Sequence, residues 1–280
     1  MAKTNEPAFE QYFDAAEIKD ISIETAYANT VITCAADSKA FVRYAPLSGH
    51  TKFTAELIDG KLTLKEKPSG ILGLMIPKAS FLTVELPEKL FGGVEFKVAS
   101  GTLTAKGLTC AKLTADLASG GIDVNAFADD ITVAVASGHA VFTNCTDKKA
   151  GHITIRTASG TQEFNGFGSA QTDINIASGK VRMNGISGGL KADIASGKLE
   201  LDYGEWDDKL RIKVLSGKAD IRLPEGSGID VFFEGLSGSA SVDLGDTHAK
   251  IAKNSDGIFG GPNVRKTHID AVSGSVAIHN

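Results

Sequence analysis

The chain is poor in the residues that build metal and disulfide sites. It has only three cysteines, and Cys34, Cys110 and Cys145 stand far apart with no Cys-x-x-Cys pair. The six histidines are scattered too, and none has the His-x-x-x-His spacing of a zinc site. These absences exclude a zinc-ribbon or disulfide-stapled domain. We therefore expect ordinary buried thiols, no metal and no cofactor.

Long apolar runs and an excess of positive charge are missing as well. No run approaches the length of about 18 residues that a membrane span requires. Residues 1–7 contain no apolar signal-peptide core, so the sequence as written predicts a cytoplasmic protein. The net charge is −5, which argues against nucleic acid as a partner because such binding needs a concentrated basic face.

One phrase is present nine times. An alternating apolar run is followed by a small or apolar residue, then by Ser-Gly, then by a second alternating run. Successive serines are 19, 18, 22, 19, 18, 20 and 21 residues apart, with 36 before the last. A near-constant period of about 20 residues is typical of a repeat architecture. The pairs, which we interpret as structural corners, are Ser100-Gly101, Ser119-Gly120, Ser137-Gly138, Ser159-Gly160, Ser178-Gly179, Ser196-Gly197, Ser216-Gly217, Ser237-Gly238 and Ser273-Gly274.

Apolar and polar residues alternate on both sides of each corner. Around Ser178, for example, Ile174 and Ile176 precede the corner, and Val181 and Met183 follow it. This period of two predicts two half-buried strands per repeat. The chain must turn between them, so we expect each glycine to adopt positive φ and each serine to bond neighbouring backbone. The residues two before serine are predicted to point inward: Val98, Leu117, Val135, Ile176, Ile194 and Val214.

A repeat of strand, corner, strand and turn predicts an all-β fold. Its finer form is a single-stranded parallel β-solenoid (right-handed β-helix) of about 9–10 coils. Residues 1–93 are predicted to form an N-terminal β cap with the first irregular coils, continuous with the regular solenoid of residues 94–280. In the cap, residues 21–32 are a degenerate copy with Asn29 in place of glycine, and Asp59-Gly60 is typical of a tight hairpin turn.

Two segments interrupt the pattern and are candidates for contact with a ligand or partner. The apolar segment 71–76 contains Leu72, Leu74 and Met75, which cannot alternate in and out of a strand. It either covers an end of the core or meets a partner.

The second segment holds the chain's one tryptophan. Trp206 is surrounded by Glu205, Asp207 and Asp208, a combination of stacking and carboxylates that suits a sugar. The alternative is an exposed loop with Trp206 folded onto the solenoid.

Three phrases resemble the bacterial putative-adhesin family of β-strand-repeat proteins, a domain of unknown function. They are Phe81-Leu-Thr-Val-Glu-Leu-Pro87, Lys213-Val-Leu-Ser-Gly-Lys-Ala-Asp-Ile-Arg-Leu-Pro224 and Val272-Ser-Gly-Ser-Val-Ala-Ile278. The likeness covers residues 16–280. It implies an adhesive role at the bacterial cell surface or envelope, and it carries over no catalytic residue.

Three functions stay open. The leading hypothesis is a non-catalytic β-solenoid for binding or cell adhesion in the bacterial envelope, with a protein or glycan ligand. The alternative is an intracellular scaffold that forms homo-oligomers end to end through its solenoid edges, which an uncovered end strand at Ser275–His279 would favour. The second alternative is a polysaccharide-acting β-helix enzyme, which converging carboxylates would favour. The nearest acidic pair, Asp129-Asp130, has no histidine or arginine motif beside it.

Overall fold

The computed structural model describes residues 8–47, 51–70 and 80–280. These residues contain 24 β-strands, so the all-β class is confirmed. The chain divides into two compact units: unit 1 comprises Met1–Ile131 and Gly138–Thr146, and unit 2 comprises Thr132–Ser137 and Asp147–Asn280. No helix in the described ranges has the length and apolar character needed to cross a bilayer.

The strands of unit 1 come first in the chain. They are β1 (Phe9–Asp14), β2 (Asp20–Thr25), β3 (Ala28–Ala35), β4 (Lys39–Pro46), β5 (Thr51–Ile58), β6 (Lys61–Pro68), β7 (Ser80–Pro87), β8 (Leu90–Val98), β9 (Thr102–Leu117), β10 (Gly121–Val135, with its last residues in unit 2) and β11 (His139–Asn144). The boundary predicted between residues 93 and 94 falls within β8 and stays a prediction.

The strands of unit 2 follow. They are β12 (Ala150–Thr157), β13 (Thr161–Asn165), β14 (Gly168–Ile176), β15 (Lys180–Ile194), β16 (Lys198–Tyr203), β17 (Leu210–Val214), β18 (Lys218–Arg222), β19 (Ser227–Gly235), β20 (Ser239–Leu244), β21 (Thr247–Ile251), β22 (Ser255–Gly260), β23 (Asn263–Ala271) and β24 (Ser275–His279).

Each Ser-Gly pair lies between two strands, as predicted for a corner. We call two strands joined by a corner a layer. Layers that are neighbours in the stack are joined by parallel pairing of their strands. At the corner of Ser178, the backbone N–H donates to Ala158 O at 2.8 Å and the hydroxyl donates to the same oxygen at 3.2 Å. The predicted serine bonds to neighbouring corners are therefore confirmed. The hydroxyls that donate in this way belong to Ser159, Ser178, Ser196, Ser216, Ser237 and Ser273.

The corner glycines are needed for close approach, and the prediction of positive φ is wrong for most of them. Of the nine, all within the described ranges, only Gly120 has positive φ, at 98°. At Gly179 an added Cβ would lie 2.4 Å from the carbonyl oxygen of Gly160 in the next layer, which no real side chain tolerates. Positive φ occurs instead at the opposite turn of the repeat, as at Gly107 (75°) and Gly185 (63°).

The predicted inward column is confirmed. All six of its residues are buried. In unit 2, Ile176 lies opposite Ile194 on the neighbouring strand, and Ile194 lies opposite Val214. Burying a side chain of this size is worth about 1.5–3 kcal/mol relative to exposure, so the column is a main source of stability.

The layers of unit 2 do not stack in chain order. Strand β24, the last of the chain, pairs in parallel with β18 on one side and with β20 on the other. Strand β23, which the corner of Ser273 joins to β24, likewise lies between β17 and β19. Strands β22 and β21 then pair antiparallel with β19 and β20 and cover their outer edges. An uncovered end strand at Ser275–His279 is therefore contradicted.

Unit 1 has the same arrangement at its beginning. Strand β2 lies between β6 and β8, and β3 lies between β7 and β9. Strands β5 and β4 pair antiparallel with β6 and β7, and β1 adds to β4. The hairpin turn at Asp59-Gly60 is confirmed, with φ of 50° and 83°. The expectation that Asn29 takes the place of the corner glycine is wrong, because Asn29 pairs with Thr102, the residue after the corner glycine Gly101. The corner is formed by residues 26–28, since Thr25 pairs with Val98.

Candidate functional site

The strongest candidate site is a cleft on the outer face of one sheet in unit 2. The sheet runs β14, β15, β17, β23, β19, and outward residues form rows across it because the pairing is in register. One row consists of Lys191 on β15, Arg211 on β17, His268 on β23 and Phe232 on β19. The cleft has a volume of about 610 Å³. It is lined by Gln171, Leu190, Lys191, Lys209, Leu210, Arg211, Asp230, Phe232, Lys266, Thr267 and His268.

The lining is strongly cationic although the chain as a whole is acidic. Four permanent cations, Lys191, Lys209, Arg211 and Lys266, face one carboxylate, that of Asp230. Within the described residues, none of the four makes a side-chain hydrogen bond. The nearest ion pairs are long, at 3.7 Å from Lys191 to Asp193 and 3.8 Å from Arg211 to Asp270. Exposed pairs of this kind contribute little, so the cleft keeps a positive field.

Several other cations of unit 2 make close contacts with carboxylates. Lys149 donates to Glu205 and to Asp207, each at 2.9 Å. The Glu200 carboxylate contacts three cations, Lys180, Arg182 and Lys198, at 2.5–2.9 Å. Partial burial acts to raise the pKa of Glu200, but the hydrogen bonds from these cations outweigh it and bring the pKa to about 2. The four cations of the cleft lack such short carboxylate contacts within the described residues.

An aromatic side chain stands at one end of the cationic row. Phe232 is 42% exposed. This is unusual, because outward positions on a solvated sheet face usually carry polar residues. Its ring packs against the His268 imidazole, with ring centroids 5.2 Å apart at 40°. The His268 Nε2 atom is also 3.0 Å from Asp270 Oδ1. Phe232 therefore offers a supported apolar surface beside charged groups.

The same end of the sheet contains a cluster that could coordinate a cation. The ligand atoms of Glu234, His268 and Asp270 lie within 4.8 Å of one another. Arg211 is 3.8 Å from Asp270 and opposes a bound cation. The cleft beside this cluster, with four cations and one carboxylate in its lining, suits an anion.

The sequence-predicted loop at Trp206 is arranged differently from a stacking site. Trp206 is buried, with 3% exposure, and its Nε1–H donates to Gly228 O at 2.9 Å. Its ring meets Tyr203 edge to face, with centroids 5.0 Å apart. The indole is thus part of the core, and its polar group is satisfied. A ligand could reach the carboxylates of this loop but not the indole ring.

Two of the three carboxylates of the loop share one cationic partner. Glu205 and Asp207 bind Lys149, and the backbone N–H of Gly188 donates to Asp207 at 2.7 Å. Partial burial acts to raise the pKa of Asp207, but these hydrogen bonds outweigh it, so the pKa lies below its ordinary value. The Asp208 carboxylate lies beside Gly189, where an added Cβ would be 3.0 Å from it, and Gly189 directly precedes Leu190 of the cleft lining.

Other predicted positions fall elsewhere. Leu72, Leu74 and Met75 lie outside the described residues. Asp129 and Asp130 lie within β10.

The cationic cleft itself was missed in the sequence. Lys191 and Arg211 occupy equivalent outward positions in successive repeats, a signal that could have been read. Phe232 and His268 join them only because β23 lies between β17 and β19, and the period does not reveal that order.

Two solved structures of similar fold come from the same bacterium. A "putative lipid binding protein" of Parabacteroides distasonis ATCC 8503 is 13% identical, with 98% of this chain and 97% of that chain covered and a TM-score of 0.55. A "putative adhesin" of the same organism is 11% identical, with 98% of each chain covered and a TM-score of 0.50. At these identities the likeness shows the fold alone. Among curated proteins no match was found.

The family comparison covers almost the whole chain. The model of the Toastrack DUF4097 family matches residues 18–279. The resemblance found in the repeated phrases is thereby confirmed, and this chain belongs to the Toastrack DUF4097 family.

Proposed function

We propose that this chain is a non-catalytic binding protein of the adhesion type, and that it takes an anionic ligand in the cationic cleft of unit 2. The observation that carries the proposal is the presence of four cations without a side-chain hydrogen bond in one cleft, opposite a single carboxylate. Unpaired like charges repel each other, so such a cluster is costly to the folded state unless a ligand of opposite charge binds it.

A binding role agrees better with the carboxylates than hydrolysis does. Glycoside hydrolysis uses two carboxyl groups on either side of the bond. The described lining of the cleft contributes Asp230, while Glu205 and Asp207 are held by Lys149. This distribution supports a site that binds its ligand without cleaving it.

The finer fold and the location belong to the same proposal. Within each unit, the layers are coils of a right-handed parallel β-solenoid, and an experimental structure would test the handedness. The family resemblance supports a place in the bacterial envelope. End-to-end assembly through Ser275–His279 has less support, since β24 is paired on both edges.

A small fluorescent trianion, hydroxypyrene trisulfonate, provides the test. Its binding is measured by fluorescence anisotropy with the full chain and with the variant K191Q/R211Q/K266Q. We expect the variant to bind at least about tenfold more weakly, which corresponds to about 1.4 kcal/mol. We also expect binding to the unaltered chain to weaken as salt is added.

The matched control removes the same charge from unit 1. The variant K52Q/K67Q/K106Q alters three exposed lysines that make no ion pair within the described residues. It should bind the trianion like the unaltered chain. Equal loss in the two variants would mean that net charge, not the cleft, governs binding, and the proposal would fail.

A further inference from the structure

The cleft contains a track of side chains with a defined direction, which begins with two cations. Lys191, Arg211 and His268 lie on adjacent strands in one register row, and Phe232 follows on the next strand. Neighbouring strands are about 4.8 Å apart, so the row repeats a polar or charged group at that interval across the sheet. A compact anion can neutralise one or two such groups. A linear ligand with regularly spaced charges can meet them all.

A second, shorter row of cations runs beside the first. Lys209 and Lys266 directly precede Leu210 and Thr267, which are opposite each other in the sheet. Residues two apart on a strand are about 7 Å apart, so the two cationic rows border a narrow groove. Its floor contains Leu190, Leu210 and Thr267, all buried. A groove of this width accepts an extended chain and excludes a folded segment.

Acidic side chains mark both ends of the track. Asp173 on β14 is opposite Lys191, and Asp256 on β22 is opposite Phe232. Asp208 and Asp230 lie near the ends of the second row. The favourable stretch therefore spans four strands, from β15 to β19, and is about 14 Å long. Beyond it a polyanion meets carboxylates and gains nothing.

The aromatic ring determines which polyanion fits. A sugar has an apolar C–H face that packs on an aromatic ring, whereas a polyphosphate chain has none. Phe232 is exposed at the end of the row and fixed against His268. One sugar unit is about as long as the distance between two neighbouring strands, about 4.8 Å. Each successive acidic sugar can therefore place a carboxylate at the next strand. A flat bilayer surface suits the site less, because the cations line a cleft.

We propose that the cleft binds an extended acidic polysaccharide, with about one sugar unit per strand over four strands, and with one sugar stacked on Phe232. This inference rests on the proposed function, because it names the ligand class of the same anion site. The probe is a series of oligogalacturonates from dimer to octamer, titrated by calorimetry. We expect affinity to rise steeply up to about the tetramer and then to level off, since the track covers about four strands.

The controls separate charge from stacking. Neutral oligosaccharides of the same length should bind at least about tenfold more weakly, as should K191Q/R211Q/K266Q with the acidic tetramer. Phe232→Ala should weaken the tetramer about fivefold and leave the trianion probe unaffected, and Phe232→Tyr should restore the affinity. Leu236→Ala removes a more exposed apolar side chain outside the cleft and should change neither.

Four results would overturn the inference. Trianion binding without oligogalacturonate binding would reject the polysaccharide and leave the proposed anion site in place. Affinity that does not change with oligomer length would reject the track. Stronger binding to phosphatidylglycerol vesicles than to the acidic tetramer would assign the site to a lipid surface. If the unaltered chain bound neither the oligogalacturonates nor the trianion probe, both the proposed function and the inference would be rejected.

Discussion

In unit 1 the corner of residues 26–28 turns its N–H groups toward an acidic side chain, whereas in unit 2 the corner of residues 236–238 turns a carbonyl toward a basic one. Glu66 Oε2 accepts from the backbone N–H groups of Ala26, Tyr27 and Ala28 at 2.8–3.0 Å. Lys253 Nζ donates to Leu236 O at 2.7 Å. Within unit 2, the corners of Ser178, Ser196, Ser216 and Ser273 each donate from the serine N–H to one neighbouring corner and accept from the other.

The difference shows that a column of corners has polarity, as a helix does. Stacked corners leave N–H groups unpaired at one end and carbonyls at the other, and buried backbone groups must be paired. A carboxylate pairs the donors and an ammonium pairs the acceptors. The same logic explains Ala28, which occupies the glycine place of its corner. The Glu66 carboxylate, not another corner, lies against it, so a Cβ is tolerated.

Removing Glu66 should have the largest effect. Glu66 is 2% exposed and accepts from Tyr44 and Ser80 in addition to the three backbone groups. Glu66→Ala leaves buried donors unpaired, and we expect a loss of about 3–5 kcal/mol in the free energy of unfolding. Urea denaturation followed by circular dichroism measures it. Glu56→Ala, an exposed glutamate on β5, should cost less than about 0.5 kcal/mol.

An interior corner provides the intermediate case. Gly179→Val places atoms on the Gly160 carbonyl and on Thr157 Cγ2, which an added Cβ would approach to 2.4 and 2.3 Å. We expect a loss of about 1–3 kcal/mol in the free energy of unfolding, measured in urea. Gly121→Ala is the matched control beside another corner, because the nearest atoms are 3.9 Å from its added Cβ. Equal losses in the two variants would contradict the close-approach account.

The sequence was sufficient for the repeat unit but not for the order of the layers. The Ser-Gly phrase identifies the corners, and alternation identifies Ile176 and Val214 as inward, because both follow from local periodicity. Nine nearly identical phrases can pair in any order, however. The positions of β3 and β24 depend on which edges the capping strands cover, and that is a tertiary property.

The same limit applied to the candidate site. The sequence made Trp206 a candidate for contact with a sugar. Its burial and its hydrogen bond to Gly228 O make it a core residue. Nothing in the sequence around Phe232 marks it as part of a site. Its role depends on His268, which is 36 residues away in the chain and on the adjacent strand.

Charge compensation between layers should appear as a pH effect. The pKa of Glu200 is lowered to about 2 in the folded chain, against an ordinary value of 4.5. A lowered folded-state pKa stabilises the fold above about 4.5, and this stabilisation is lost as the pH falls from 4.5 toward 2. Urea midpoints measured from pH 6 to pH 2.5 should therefore fall less steeply for Glu200→Gln than for the unaltered chain. Parallel curves would contradict the compensation.

Replacing Lys253, whose ammonium group donates to the corner carbonyl of Leu236, should have the smallest effect. Lys253 donates at an exposed site, where water can replace the lost bond. We expect Lys253→Met to reduce the free energy of unfolding by less than about 1 kcal/mol. A loss as large as that of Glu66→Ala, in the same urea titration, would show that burial does not distinguish the two caps.

The central claim is that the cationic cleft is the ligand site, and a crystal structure with bound tetragalacturonate tests it most directly. We predict ligand carboxylates within about 3 Å of Lys191 and Arg211, the chain lying across the strands and one sugar packed on Phe232. A tetramer bound at Glu205 and Asp207 instead, with the cleft free, would contradict the account.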